Sequence, residues 1–304
     1  MRKEIYQLEA PTLFRFMHCY ITRLEQMGKN RTAEHYQSAL NSFRRFRQER
    51  DLFFHEITSD LMQQYEAHLH HSGIVKNTIS FYNRILRATY NRAVAQGYTP
   101  QHHPFREVYT GIDKTAKRAV SLQAVHRIKQ LDLSHNPQLT LARDLFLFSF
   151  YTRGMSFVDM SYLKKSNLQN GILTYRRRKT GQLLTVRWEP CMQDILDRYT
   201  VPGPYLLPIL QPTGQDEYEQ YKKRLRHINR KLKLIGQLIQ LPLPLTLYVA
   251  RHTWASAAKA KHIPLSVISQ SMGHHSEQTT LIYLASLDTA VVDNANKMIL
   301  DSLC

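Results

Sequence analysis

Over the first hundred positions apolar residues recur at spacings of three and four and never alternate singly, the pattern of helices with one buried stripe. Four helices are predicted. Thr12 caps the first, which runs toward Gly28 with Phe16, Tyr20, Leu24 and Met27 on its stripe; Thr32 caps the second, with Tyr36, Leu40 and Phe43. Ser59 caps the third, whose Leu61, Tyr65 and Leu69 face inward before Gly73 as a left-handed terminator. The fourth spans Asn77 to Gly97 and buries Ile79, Leu86 and Ala93. Between His102 and Lys117 the periodicity breaks at Pro104, Gly111 and a basic run, which reads as a linker.

After the break the texture changes twice. Ser121 caps a helix carrying Ala124, Val125, Ile128 and Leu131, and the apolar run LFLFSFY at 145–151 predicts a buried helix. The stretch GILTYRRRKTGQLLTVRW then alternates apolar and polar residues on both sides of Lys179, Thr180 and Gly181, the pattern of a β-hairpin turning at or near those three. Helical periodicity returns in Tyr218, Tyr221, Leu225, Ile228, Leu232 and Ile235, with basic residues on the other faces. Pro242 and Pro244 force an extended stretch before a helix in TLYVARHTWASAAKAK. Asp288 caps a last helix, whose Val291, Ala295, Met298 and Leu303 form an apolar stripe suited either to its own domain or to a neighbouring subunit. The expected division is a helical domain over 1–108, a linker over 109–118 and a second domain over 119–304.

Composition narrows the class. A chain that is 43% hydrophobic and 21% charged is ordinary for a globular protein. No run of about eighteen apolar residues is present, and MRKEIYQLEAPTLF lacks the features of a secretory signal, so a cytoplasmic location and no membrane partner are expected. Cys19, Cys191 and Cys304 lie far apart, and the histidines form no HExxH or Cys/His cluster, so neither a disulfide framework nor a metal cage is expected. The net charge of +17, present as an excess on both sides of residue 110, favours a polyanion, with nucleic acid ahead of an acidic membrane. Arg44 and Arg45 after the second helix, with Lys76, Arg84 and Arg87 around the fourth, form basic faces that suit phosphate contacts or simple solvation.

Two late segments carry the chemistry: YVARHTWA at 248–255 and SMGHHSEQTTLIYLA at 271–285. They resemble the second half of the active site of the tyrosine recombinases, or phage integrases, whose motifs run H-x-x-R-H-T, then L-G-H, then T-x-x-Y. The resemblance places a catalytic arginine at Arg251, a histidine at His274 and a tyrosine nucleophile at Tyr283. The intervals of 23 and nine positions match as well. It also places the catalytic lysine at Lys179, in the hairpin. The implied fold is mainly α: a SAM-like helical core-DNA-binding domain, then a mostly helical catalytic domain with a small antiparallel β-sheet, closing around duplex DNA as a C. Double-stranded DNA, a homotetramer on two DNA sites and accessory DNA-bending proteins are the implied partners, at a bacterial nucleoid, with no cofactor.

The residue types fit that chemistry. Attack of a phenol oxygen on a phosphodiester loads charge onto two non-bridging oxygens, which arginine forks bind bidentately. A lysine on the hairpin supplies the proton the departing 5′ oxygen needs, while His274 takes the phenol proton or polarises the phosphate. A covalent 3′-phosphotyrosine conserves the energy of the broken bond.

This chain departs from the motif twice. The stretch YTRGMSFVDMSYL puts Ser156 where the first arginine belongs, with Arg153 three residues earlier and able to substitute if the helix extends back that far. Tyr248 stands where the histidine of H-x-x-R belongs; it serves a positional role or packs beneath the arginine. The absence of an arm-type domain before the bundle points to a simple recombinase or invertase serving integration, excision or inversion of a mobile element. A type IB topoisomerase and a DNA-binding protein that has lost catalysis are the alternatives.

Overall fold

The computed structural model describes residues 11–113, 118–212, 214 and 216–284, the side chains of 282 and 283 excepted. The proposed trans-docking helix around Val291, Ala295, Met298 and Leu303 lies outside them, as does Cys304. The chain forms two compact units, Met1–Thr115 and Ala116–Cys304.

The first unit is a four-helix bundle of α1 (Leu13–Gln26), α2 (Asn30–Phe46), α3 (Ser59–His71) and α4 (Lys76–Ala95), with one 3-10 turn at Phe54–Glu56. Its core joins Met17, Leu40, Phe43, Tyr65, Ile79, Leu86 and Tyr90, and the Tyr65 hydroxyl donates to Ser42 at 2.7 Å so that a deep phenol has a partner. The expected α1 stripe is rotated: Leu13, Met17, Ile21 and Leu24 are buried, Phe16 and Tyr20 lie on its flank, and Met27 falls past the helix end and is exposed. Two caps shift as well. Thr58, one residue before Ser59, accepts the Leu61 amide at 3.1 Å, and α2 starts at Asn30, leaving Thr32 inside its first turn. Residues 109–113, expected to belong to the linker, run along α4: Asn83 donates to the Tyr109 carbonyl, Ser80 to that of Gly111 and Asn77 to that of Asp113.

The second unit is built round α6 (Pro137–Tyr151), whose Leu145, Phe146, Leu147 and Phe148 are all buried. A helix apolar on every side must be covered on every side, and here α5 (Leu122–Gln130), α8 (Pro190–Leu196), α9 (Glu217–Leu238) and α10 (Leu247–Ala260) pack against it. Its one interior charge, Asp144, is satisfied by Arg143, Arg198 and the Tyr199 hydroxyl. Short α7 (Phe157–Ser161) follows α6. An antiparallel sheet of β1 (Leu168–Gln169), β2 (Ile172–Arg176) and β3 (Leu183–Arg187) then pairs Thr174 with Thr185 and turns Leu173, Tyr175, Leu184 and Val186 inward. After α10, helices α11 (Leu265–Ser271) and α12 (Glu277–Leu284) form a smaller cluster through Ala255, Ala258, Ile268, Met272 and Leu284. No helix among the described residues is long and apolar enough to cross a membrane.

Candidate active site

Arg251 lies on the buried face of α10 among Val249, Ala250 and Ala255, and is only 5% exposed. A guanidinium placed there must spend its donors. Nη1 donates to the Gly154 carbonyl at 2.6 Å, and Nη2 to the Met272 carbonyl at 2.7 Å and to Nε2 of His274 at 2.9 Å. Gly154, in the turn that follows α6, has φ +75, and a Cβ there would stand 2.8 Å from the Arg251 Cα. Only glycine lets that turn lie directly on the arginine.

His274 follows the turn that ends α11 and is 7% exposed. Its Nε2 receives the Arg251 proton, so Nδ1 must carry the ring hydrogen and donate to Thr280 Oγ1 at 2.7 Å; the imidazole is neutral. Its pKa is lowered to about 4, first by burial and then by the cations of Arg251, Arg177 and Lys179. Thr280 is wholly buried on α12, and the carbonyl of buried Leu284 accepts Lys259 Nζ at 3.1 Å. These contacts fix the α12 backbone, which carries Tyr283 one turn beyond the histidine's partner. The Tyr283 side chain, the expected nucleophile, lies outside the described residues.

The hairpin reaches the same place. The Arg177 amide donates to the Gln182 carbonyl at 2.8 Å and the Gly181 amide to the Arg177 carbonyl at 2.7 Å, closing a turn with exposed Lys179 at its tip. Thr180 Oγ1 donates to the Gly273 carbonyl at 3.3 Å, and the His275 ring donates from Nε2 to the Thr180 carbonyl at 3.2 Å. Two short loops are thereby stapled together, with Lys179 beside His274.

Sequence reasoning missed Arg177. It is 5% exposed, as deep as Arg251, and its Nη1 makes a short hydrogen bond to the Gly273 carbonyl. Gly273 has φ +64, and a Cβ on it would meet the Arg177 Cδ at 2.9 Å. The signal was present: with Leu173 and Tyr175 inward on β2, a period of two puts residue 177 on the same face. The run of three arginines concealed it, because adjacent like charges read as a solvated edge.

The two departures from the motif resolve unequally. Ser156 is the N-cap of α7, its hydroxyl accepting the Asp159 amide at 3.4 Å and donating to the Asp159 carboxylate at 2.6 Å. Arg153 is not on a backward extension of that helix: it has φ +62 in the turn after α6 and donates to the Thr185 carbonyl of β3 at 3.2 Å. The helical-turn reasoning for Arg153 is therefore corrected, because a left-handed residue before a new N-cap ends the periodicity on which it relied. Tyr248 is 46% exposed, so it does not pack beneath Arg251; its ring meets His252 edge-on at 4.5 Å. His252, also missed, has a pKa lowered to about 4 by burial and by Arg118 and Arg251.

Among the basic candidates of the first unit, Arg45, Arg84 and Arg87 are exposed, with Arg84 Nε donating to the Ser80 carbonyl and Arg87 to Thr110. Lys76 sits 4.7 Å from the centre of the Tyr109 ring. Arg44 is tied to Glu49, which offsets part of its charge.

Residues 12–108 match the family model of the phage integrase SAM-like domain. Comparison with curated protein sequences gave no match. Among solved structures the chain is similar to a lambda integrase tetramer bound to a Holliday junction, with TM-score 0.68 and 18% identity over 91% of this chain and 78% of that one. It is similar also to a lambda integrase dimer bound to a COC′ core site, with TM-score 0.66 and 19% identity over 90% of this chain and 77% of that one. A third likeness is to the integrase of transposon Tn1549 in complex with transposon right-end DNA, with TM-score 0.66 and 14% identity over 95% of this chain and 100% of that one. Residues 12–108 thus carry a phage integrase SAM-like domain, and the chain as a whole has a fold similar to that of these integrases.

Proposed function

We propose that the protein is a site-specific DNA recombinase that cuts and rejoins duplex DNA through a 3′-phosphotyrosine on Tyr283. The observation that carries this reading is the convergence of Arg251, His274 and the hairpin turn bearing Lys179 on one loop, against the helix whose backbone carries Tyr283. In the reaction the phenol oxygen forms a bond to the scissile phosphorus, and the bond from phosphorus to the 5′ oxygen breaks. Arg251 binds the charge that develops on the non-bridging oxygens. Lys179, exposed at the tip of its turn, protonates the leaving oxygen. His274, neutral and accepting through Nε2 from Arg251, orients the guanidinium. When that guanidinium turns to the phosphate, Nε2 is released, and the anion among these cations lifts the histidine pKa back toward its usual range, so that Nε2 accepts the phenol proton. Tyr248, on the surface of α10, serves as a positioning group near the DNA backbone.

The exposed cations Arg45, Lys76, Arg84 and Arg87, with Arg44, are assigned to phosphate contacts that set register along the duplex. The lambda integrase structures, a dimer on a core site and a tetramer on a Holliday junction, support a homotetramer on two DNA sites here. The test is covalent capture from a pool of random-sequence duplexes nicked at varied positions. Wild-type protein should retain a denaturant-resistant DNA adduct and Tyr283→Phe none; an equal absence of adduct from both proteins would leave a DNA-binding protein without strand-transfer activity. The captured duplex then serves as substrate for the experiments below.

A further inference from the structure

The site so described holds one deep arginine from the motif and lacks the other, since Ser156 occupies its place and spends its hydroxyl on capping α7. A phosphodiester approaching its transition state has two non-bridging oxygens to neutralise, so the chemistry calls for a second fork. We propose that Arg177, from the end of the hairpin strand, is that second phosphate-binding arginine and a catalytic residue of the strand-transfer reaction. This rests on the recombinase reading.

Three observations converge on it. First, Arg177 and Arg251 take consecutive carbonyls of one turn, Gly273 and Met272, so the two guanidiniums flank His274 from two different elements. Second, the hairpin is tethered to the place where the first arginine is missing: the Asp159 carboxylate accepts the Ser156 hydroxyl and, through its other oxygen at 2.8 Å, the Arg178 amide. Residue 177 is thereby held next to the start of α7, so an arginine from the strand fills space that the motif fills from the helix. Third, Gly273 is left-handed and bare on the side that the Arg177 side chain crosses. Arg153 has a different geometry, its guanidinium bonded outward to the sheet at Thr185.

Charge compensation in the substrate tests the assignment. The captured duplex is prepared with its ordinary scissile phosphodiester and with a neutral methylphosphonate there, which removes the charge that a second arginine would bind. Arg177→Ala should cleave the phosphodiester slower by about 100-fold or more and recover most of that loss on the methylphosphonate. Full activity of Arg177→Ala on the phosphodiester, or equal loss on both substrates, overturns the proposal. So does the rescue pattern appearing with Arg153→Ala instead. If Arg177→Ala does not bind the duplex, Arg177→Lys is read in its place: it keeps the charge and loses the fork, and slowing on the phosphodiester with recovery on the methylphosphonate is again required. Absence of any wild-type adduct would instead refute the recombinase reading, so the two failures are distinguishable.

Discussion

His274 couples the site to pH by a definite sign. Its folded-state pKa of about 4 lies below the usual 6.5, so between those values the unfolded chain binds more protons. Stability present above pH 6.5 is therefore lost as pH falls toward 4, by roughly 3 kcal/mol for a shift of this size. His274→Gln does not titrate, so its urea-unfolding free energy should fall less steeply over that window than the wild type's. Parallel curves would show that the imidazole is not held neutral. The glycines make a second residue-scale prediction. Gly154→Ala and Gly273→Ala each place a Cβ under 3.0 Å from an arginine on a left-handed backbone. Each should cost about 1–3 kcal/mol of stability and slow adduct formation, read by thermal unfolding and covalent capture. That Arg251 and His274 stand side by side was legible from motif spacing, whereas the burial of Arg177 next to them was not, because the motif has no arginine at that place.

At the scale of elements, the hairpin that carries the proposed proton donor is also a scaffold of the site. Asp159 holds it through the Arg178 amide, so Asp159→Asn should destabilise the protein by about 1–3 kcal/mol and accelerate hydrogen exchange at that amide. An unchanged exchange rate would show that the tether is not what positions the hairpin. At its tip, Lys179→Ala should lose cleavage of the natural strand and regain it on a substrate whose 5′ leaving atom is sulfur, since a thiolate departs without a proton. Failure of the thio substrate to restore cleavage would assign the proton to another donor. The hairpin and its turn were predictable from alternation around Lys179–Gly181. The rotation of α1 was not: Phe16 and Tyr20 match the helical period as well as Met17 and Ile21 do, and only tertiary packing buries Met17 and Ile21 and leaves Phe16 against Phe54 and Tyr20 against Tyr36 on the flank.

For the whole molecule, a net charge of +17 predicts DNA binding that weakens steeply with salt, because each neutralised phosphate releases counterions. Replacing Arg84 and Arg87 together with alanine should reduce the slope of log K against log salt by about 0.9 for each phosphate that is no longer neutralised. Fluorescence anisotropy on the captured duplex measures this, and an unchanged slope would remove both residues from the interface. Helical periodicity, one alternating hairpin and the spacing of Arg251, His274 and Tyr283 sufficed to determine a mainly helical two-unit chain and the reaction class to test. Those are local properties, written at fixed intervals along the backbone. Only the tertiary structure decided that Ser156 is a cap, that Arg153 bonds to the sheet, and that Arg177 lies buried beside Arg251 and His274. Those outcomes depend on which loops meet, and two glycines, a buried carboxylate and a threonine hydroxyl bring residues some hundred positions apart onto one turn.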